Sequence, residues 1–151
     1  MLYVFVRGRE LEGTFPGDSR IGVWPITELR IMRGWGVPPE KARPFNLAAD
    51  WPPVEPPGID ALAKLERIGR CQRVLTLSEC KTSIAQGCSV SVTLEISDKW
   101  TNASQGRIPT PLPTDVQLGS HCVALVGYDD GTGEFHFANS ALRRNSTGPA
   151  F

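Results

Sequence analysis

One stretch, residues 119–140, constrains the fold of this chain more than any other. An uninterrupted apolar run from Val123 to Val126 lies between Gly119 and Gly127. An apolar run of this length between turn residues is typical of a strand that is covered on both faces. The acidic, glycine-rich segment 129–133 that follows suits a tight turn, because glycine adopts positive φ without strain. The sequence therefore predicts a buried antiparallel β-hairpin.

The predicted hairpin carries a histidine near its start and an asparagine near its end. His121 and Asn139 fall on neighbouring antiparallel strands, so a hydrogen bond from the imidazole to the side-chain amide is feasible. The amide oxygen would fix one imidazole tautomer and leave the other ring nitrogen free to accept a proton. A lone histidine at the start of a strand is more often structural than catalytic, but the asparagine shifts that balance. The pair predicts a general base and its orienting group, which is half of the apparatus of a hydrolase.

The cysteine beside this histidine is a poor candidate for the missing nucleophile. Adjacent strand residues point to opposite faces, so Cys122 should lie on the Ala124 and Val126 side of the sheet, away from His121. Reactive cysteines favour helix N-termini near a positive charge, and no cysteine of this sequence has that setting. The other cysteines are assigned to packing (Cys80 and Cys88) or to no role (Cys71).

Charge and composition exclude several classes of function. The 151 residues carry 16 basic and 16 acidic side chains, which gives no reason to expect a nucleic acid or an anionic membrane as partner. No apolar run approaches the ~20 residues of a transmembrane helix, and the first residues do not resemble a signal peptide, so we expect a cytoplasmic chain. Four cysteines without a CxxC pair, and only two histidines, argue against a metal site or a cofactor and favour reduced or buried thiols.

Two local patterns lie ahead of the hairpin. Thr76-Leu77-Ser78-Glu79 is a capping box, which predicts a helix that begins after Thr76 and runs to about Gln86. Residues 89–96 then alternate strictly between polar and apolar side chains. This period of two predicts a strand with four core-facing side chains: Val90, Val92, Leu94 and Ile96. Together with the hairpin, the strand makes an antiparallel sheet of at least three strands.

The first half of the chain is less regular. Apolar spacing predicts a helix over 26–33 that is capped by Gly34. It also predicts a helix over 59–67 with Ala61, Leu62 and Leu65 facing inward, and a strand over 69–75. The long loop between the two helices is typical of a functional or Ω-type excursion. Its aromatic residues either pin it to the core or form a carbohydrate or peptide platform: Trp35, Phe45 and Trp51. Helices and loops followed by an antiparallel sheet predict an α+β fold rather than α/β.

The hairpin resembles the papain-like cysteine peptidases of the C1 family. In that family a strand Gly-x-His-Ala-Val-x-x-Val-Gly-Tyr is followed by a Lys-Asn-Ser-Trp-Gly motif. This sequence has Gly119-Ser120-His121-Cys122-Val123-Ala124-Leu125-Val126-Gly127-Tyr128 and then Ala138-Asn139-Ser140. The resemblance extends more weakly to the capped helix and strand of 76–96, to Gly34-Trp35-Gly36-Val37-Pro38-Pro39-Glu40 with Pro44-Phe45, and to Asp18-Ser19. It covers about residues 2–140.

This resemblance implies both a fold and a site. The fold is a papain-like cysteine proteinase fold of two lobes, with the active site in the cleft between them. Residues 2–11 suit a helix or a strand by propensity alone, and the resemblance makes them a helix. His121 would be the general base and acid, and Asn139 its orienting partner. The implied substrate is a peptide or a protein, with no cofactor and no metal.

The departures from the family pattern matter as much as the matches. The family's nucleophile and oxyanion-hole glutamine lie in a Gln…Cys-Gly-Ser-Cys-Trp stretch that this sequence lacks. Ala141-Leu142 replaces the Trp-Gly whose tryptophan shields the histidine–asparagine pair. We therefore expect residues 1–151 to form a single, incomplete papain-like domain without the nucleophile segment and the closing strands, and with a frayed tail at 141–151. We expect it to be inactive alone, with a second chain or a missing N-terminal segment completing the site.

Other functional interpretations stay open. A non-catalytic peptidase-like module would bind a peptide or regulate a partner without turnover. A different cysteine–histidine fold, such as that of the bacteriocin-processing peptidases, carries a similar His-x-Val-x-x-x-Gly-Tyr strand. Those enzymes prefer Asp-Pro where this chain has Asn139-Ser140. The hairpin could also have no peptidase role at all.

Overall fold

A computed structural model of the chain describes residues 2–18, 20–44, 51–104 and 106–139. The helices are α1 (Leu2–Leu11), α2 (Pro25–Gly34), α3 (Ile59–Ala63), α4 (Leu77–Ala85) and a 3₁₀ helix (Asp98–Asn102), and the strands are β1 (Val90–Ser97), β2 (Gln117–Asp129) and β3 (Glu134–Ala138). Contacts divide the chain into two compact units, Met1–Arg73 and Val74–Phe151. The predicted α+β organisation, with helices first and an antiparallel sheet second, is confirmed. The predicted frayed tail at 141–151 lies outside the described residues.

The first unit packs α1, α2 and α3 around a small apolar core. Its buried members are Tyr3, Val4, Ile31, Ile59 and Ala63. The helices predicted over 2–11 and 26–33 are present, whereas the third helix ends at Ala63 instead of residue 67. The predicted inward face of that helix is wrong, because Leu62 and Leu65 are 43% and 76% exposed. Five helical residues form little more than one turn, and this turn directs Ile59 and Ala63 into the core.

Gly36, not Gly34, is the glycine on which the end of α2 depends. The backbone N–H groups of Trp35 and Gly36 both donate to the carbonyl of Ile31, so the helix continues through Gly34 before it ends. Gly36 has a φ of +95°, and a Cβ atom there would lie 1.9 Å from the carbonyl oxygen of Ala63. The predicted cap at Gly34 is therefore wrong by two positions. Because Gly36 has no side chain, the end of α2 can lie directly against the backbone of α3.

A buried arginine organises the loop that follows α1. Arg9 is 0% exposed. Its guanidinium donates to the hydroxyl of Thr14 at 2.6 Å, and to the carbonyls of Thr14 at 2.6 Å, Asp18 at 2.9 Å and Ile21 at 2.8 Å. These bonds give the buried guanidinium its hydrogen-bond partners and tie the backbone of the loop to it. The Arg9 side chain thus contacts three residues of this loop and holds its backbone in place.

The long loop between α2 and α3 is held by a tryptophan. The indole N–H of Trp51 donates to the carbonyl of Gly17 at 2.7 Å, and its ring packs against Phe5 and Phe15. Trp51 therefore pins the loop to the first unit, as predicted. Trp35 does not serve in the same way, because it is 41% exposed. Phe45, the third predicted aromatic anchor, lies outside the described residues.

The predicted capping box begins α4 in the second unit. The N–H of Glu79 donates to the hydroxyl of Thr76 at 3.1 Å, and the Glu79 carboxylate accepts from the N–H of Thr76 at 3.3 Å. No strand forms over residues 69–75, which the structure does describe. This segment is irregular and mostly exposed. Its apolar residues find no neighbouring strand, and the N–H of Leu75 donates to the Glu79 carboxylate instead. Local capping chemistry was therefore predictable, but strand pairing was not.

The three strands form an antiparallel sheet in the order β1-β2-β3. One face is apolar and packs against α4 through Cys80, Val90, Val123 and Leu125. The alternation predicted for β1 is present, since its even-numbered apolar residues are more buried than the polar residues between them. The prediction that the hairpin is covered on both faces is wrong: Val126, on the other face, is 55% exposed in this chain. The apolar run of β2 thus has one packed face and one open face.

The turn between β2 and β3 is closed by an aspartate. The Asp129 carboxylate accepts hydrogen bonds from the backbone N–H groups of Gly131 at 2.7 Å and Thr132 at 3.3 Å. These bonds hold the pKa of Asp129 below its ordinary value, because they favour the charged carboxylate. Gly133 adopts a φ of +71°, the conformation for which the sequence predicted glycine here.

Candidate active site

His121 and Asn139 meet at the edge of the packed face of the sheet. The two side chains lie on β2 and just after β3, and the imidazole Nε2 donates to the Asn139 Oδ1 at 2.8 Å. Both residues are half-buried. The structure therefore brings together the two residues that the sequence singled out. Their catalytic role stays a prediction.

A single extra residue in β2 makes this contact possible. Near the turn Gly127 pairs with His136, but further along Leu125 pairs with Phe137, so Val126 is left without a partner. In an uninterrupted register Asn139 would stand opposite Ala124, on the face away from His121. The bulge shifts the register by one residue and turns Asn139 to the face that His121 occupies. No pattern in the sequence predicted this bulge.

The hydrogen bond fixes the protonation pattern of the imidazole. An amide oxygen only accepts, so the neutral ring carries its proton on Nε2. Nδ1 is then the nitrogen with a free lone pair, and it can take a proton from an acidic group in front of it. This arrangement holds a proton acceptor in one tautomer through a neutral partner, which is what the predicted general base requires.

One aromatic ring that the sequence did not place in the site lies beside His121, and a second packs against the first. Trp100 belongs to the 3₁₀ helix that follows β1, and its ring centroid is 5.9 Å from that of His121, at an interplanar angle of 87°. Trp100 also lies 5.9 Å from Phe137, centroid to centroid. No role was predicted for this tryptophan from the sequence. Its position directly after the clearest strand was the one signal that could have connected it with the sheet.

The cysteines of the chain occupy other places. Cys122 lies on the opposite face of β2 from His121, as predicted, and its Sγ is 3.2 Å from the Oγ of Ser91. Cys80 is 5% exposed and belongs to the apolar core of the second unit. Cys71 and Cys88 are exposed. His121 thus has Asn139 as the partner of its Nε2. Cys80 is packed in the core, Cys71 and Cys88 are exposed, and Cys122 contacts Ser91 on the other face of the sheet.

The described residues show neither a metal site nor a membrane-spanning helix. Across 2–18, 20–44, 51–104 and 106–139, no three His, Cys, Asp or Glu side chains come close enough to hold a metal ion. In the same ranges, no helix has the length and apolarity needed to cross a bilayer. The second histidine, His136, is exposed, and its ring lies close to Gly127.

The α+β architecture, with its short helices followed by an antiparallel sheet, is that of a cysteine protease fold. The chain is similar to the crystal structure of xylellain, a cysteine protease from Xylella fastidiosa, with a TM-score of 0.79 and 27% sequence identity. The similarity covers 92% of this chain and 57% of xylellain, so the chain spans little more than half the length of that protein. No protein-family model and no curated protein matches the chain.

Proposed function

We propose that this chain is the histidine-bearing part of a papain-like cysteine peptidase. The observation that carries the proposal is the 2.8 Å hydrogen bond from His121 Nε2 to Asn139 Oδ1. It supplies a general base with a defined tautomer, on a sheet that belongs to a cysteine protease fold. The substrate class is a peptide or a protein.

The proposed chemistry assigns His121 two proton transfers. Nδ1 takes the proton of a cysteine thiol, and the thiolate attacks the carbonyl carbon of the scissile peptide bond. The imidazolium then returns the proton to the leaving amine as the C–N bond breaks, which leaves an acyl-enzyme thioester. Water, deprotonated by Nδ1, releases the acid and regenerates the thiol. Asn139 keeps the Nε2–H bond through all of these steps and so keeps that proton on Nε2.

The thiol in this scheme comes from polypeptide outside the 151 residues. Cys122 is turned to the opposite face of β2, and Cys80 is packed in the core. The proposal therefore includes the expectation that this chain, as a separate polypeptide, is an incomplete papain-like domain without peptidase activity. A preceding segment of the same protein or a second chain would supply the thiol.

A chimera tests the proposed function. The part of xylellain that carries its catalytic cysteine is joined to residues 1–151, and folding is checked by circular dichroism. Fluorogenic peptides then report turnover. We expect the folded chimera to cleave peptides, His121→Ala to abolish cleavage, and His136→Ala, which changes the other histidine, to leave it intact. A folded chimera that does not cleave, or that cleaves equally well with His121→Ala, would refute the proposal.

A second candidate is a non-catalytic peptidase-like module that binds a peptide. The placement of Cys80 in the core and of Cys122 on the opposite face from His121 favours this candidate for the chain on its own. Peptides from the same substrate set, each with a fluorescent label, provide the test by anisotropy. Saturable binding by the unmodified chain, together with a folded but inactive chimera, would establish the module and displace the peptidase.

A further inference from the structure

A single hydrogen bond does not hold an imidazole ring in place. The bond from Nε2 to Asn139 fixes one atom of the His121 ring, but the terminal torsion of a histidine side chain is broad. The ring can therefore pivot about this hydrogen bond and carry Nδ1 away from a reacting group. A residue that blocks the pivot would determine how often Nδ1 points in the productive direction.

Trp100 lies where such a residue is needed. Its ring stands at 87° to the imidazole with the centroids 5.9 Å apart, which is the edge-to-face arrangement that aromatic rings prefer. An imidazole that pivots would collide with the indole or lose this contact.

The tryptophan is itself held from two directions. Its ring packs against Phe137 on β3, at 5.9 Å between centroids. Its backbone belongs to the 3₁₀ helix, where the side chain of Ser97, 3% exposed, accepts the N–H of Lys99 at 3.3 Å. The N–H of Asp98 donates to the carbonyl of Val116 at 3.1 Å, which ties the start of this helix to the residue before β2. Trp100 thus reaches His121 from a fixed support.

We infer that Trp100 is a positioning residue, which locks the orientation of the His121 imidazole from an element outside the hairpin that carries the His121–Asn139 pair. This inference deepens the proposed function and rests on it for its consequence in catalysis. The geometric part stands by itself, because it concerns the orientation and tautomer of His121 in this chain.

Nuclear magnetic resonance of the imidazole nitrogens tests the geometric part without turnover. The chain has two histidines, so a His136→Gln background leaves His121 as the only imidazole. We expect the Nε2–H tautomer to dominate in this background. Trp100→Ala should shift the two nitrogen resonances toward a mixture of tautomers, and Trp100→Phe should retain most of the tautomer preference. Trp24→Ala is the control, since Trp24 is 73% exposed and lies in the first unit, and it should change nothing.

Two further variants keep the test decisive. If Trp100→Ala unfolds the sheet, Trp100→Leu fills the same space without an aromatic ring. The inference is supported if Trp100→Phe preserves the tautomer preference and Trp100→Leu loses it. It is overturned if Trp100→Leu, or a folded Trp100→Ala, leaves the nitrogen resonances as they are in the background chain.

Kinetics of the chimera separate this inference from the proposed function. Trp100→Phe should lower kcat less than Trp100→Leu, which we expect to lower it about 10- to 100-fold with little change in KM, because a misplaced base affects the chemical step. An inactive chimera with the expected nitrogen resonances refutes the proposed function and supports the positioning role. An active chimera in which Trp100→Leu leaves both kcat and the resonances unchanged refutes the positioning role alone.

Discussion

Single side chains with several partners hold the first unit together. Tyr3 is 1% exposed and donates its phenolic hydrogen to the Asp60 carboxylate at 2.7 Å, and the guanidinium of Arg7 donates to the same carboxylate at 2.9 Å. Arg9 serves the loop after α1 in a comparable way. Tyr3 and Arg7 connect α1 to a residue 57 and 53 positions away, whereas Arg9 holds the loop next to its own helix. Replacing any of the three should therefore affect more than its own element.

The Tyr3 phenol should ionise far above the ordinary range. Burial, and then the hydrogen bond to the Asp60 carboxylate, raise its pKa from 10.0 to about 12. Because the folded state favours the neutral phenol, its contribution to stability is complete below pH 10 and is lost as the pH rises from 10 towards 12. With Tyr128→Phe, Tyr3 is the only tyrosine, and phenolate absorbance then reports its titration. A midpoint near 10 in the folded chain would contradict the buried contact.

Arg9 should not be replaceable by lysine. The ammonium group of lysine cannot reach the three carbonyls and the hydroxyl that the guanidinium satisfies, and each buried acceptor left unpaired costs about 1–3 kcal/mol. We therefore expect Arg9→Lys to lower the free energy of unfolding by at least that amount, as measured by urea denaturation. Arg33→Lys, at an exposed position of α2, is the matched control and should change it by under about 0.5 kcal/mol. Equal midpoints for the two variants would disprove the role of Arg9.

Among the helices and strands, features that depend on neighbouring residues could be predicted from the sequence, and features that depend on distant residues could not. The capping box of α4 and the alternation of β1 involve neighbours in sequence, and both were predictable. The end of α2 depends on the backbone of α3, about 27 residues away in sequence, and the contact of His121 with Asn139 depends on a bulge at Val126. Trp100 reaches His121 across strands. Contacts of this kind leave no periodic signal in the sequence.

The two glycines around the end of α2 give a paired prediction. Gly36→Ala forces a Cβ within 1.9 Å of the Ala63 oxygen and places a side chain at a φ of +95°, so it should cost more than about 3 kcal/mol of unfolding free energy. Gly34→Ala, within the helix and with nothing within 4 Å of its new Cβ, should stabilise by about 0.5–1 kcal/mol. Denaturation curves of the two variants should therefore move in opposite directions. A harmless Gly36→Ala would mean that α2 and α3 do not approach as described.

For the whole molecule, the sequence predicted the class of fold and singled out two residues that the structure brings into contact, His121 and Asn139. The sequence predicted the antiparallel sheet and the helices before it, and it predicted that His121 and Asn139 lie on neighbouring strands, but it did not predict the bulge that allows their contact. Xylellain shares the fold over 92% of this chain, at 27% identity. If His121 and Asn139 act as proposed, the reactivity of each thiol in the chain can be predicted.

No cysteine of the chain should behave as an activated nucleophile. The exposed thiols of Cys71 and Cys88 should react with an epoxide or iodoacetamide at ordinary rates, and the core thiol of Cys80 should react slowly. His121→Ala should leave all of these rates unchanged, because none of the thiols depends on that base. Mass spectrometry of the modified peptides gives each rate separately. A cysteine that reacts far faster than the others, and loses that advantage in His121→Ala, would show that the chain carries its own nucleophile.

The bulge at Val126 also limits where residues can be inserted into or deleted from the hairpin. Between His121 and the turn, the gain or loss of one residue would rotate Asn139 to the opposite face of the sheet. Changes in the turn at 130–133 leave that spacing untouched, provided that the strands still close in the same register. Insertions and deletions in related chains should therefore occur in the turn. The number of residues between the histidine and the position of Asp129 should stay constant.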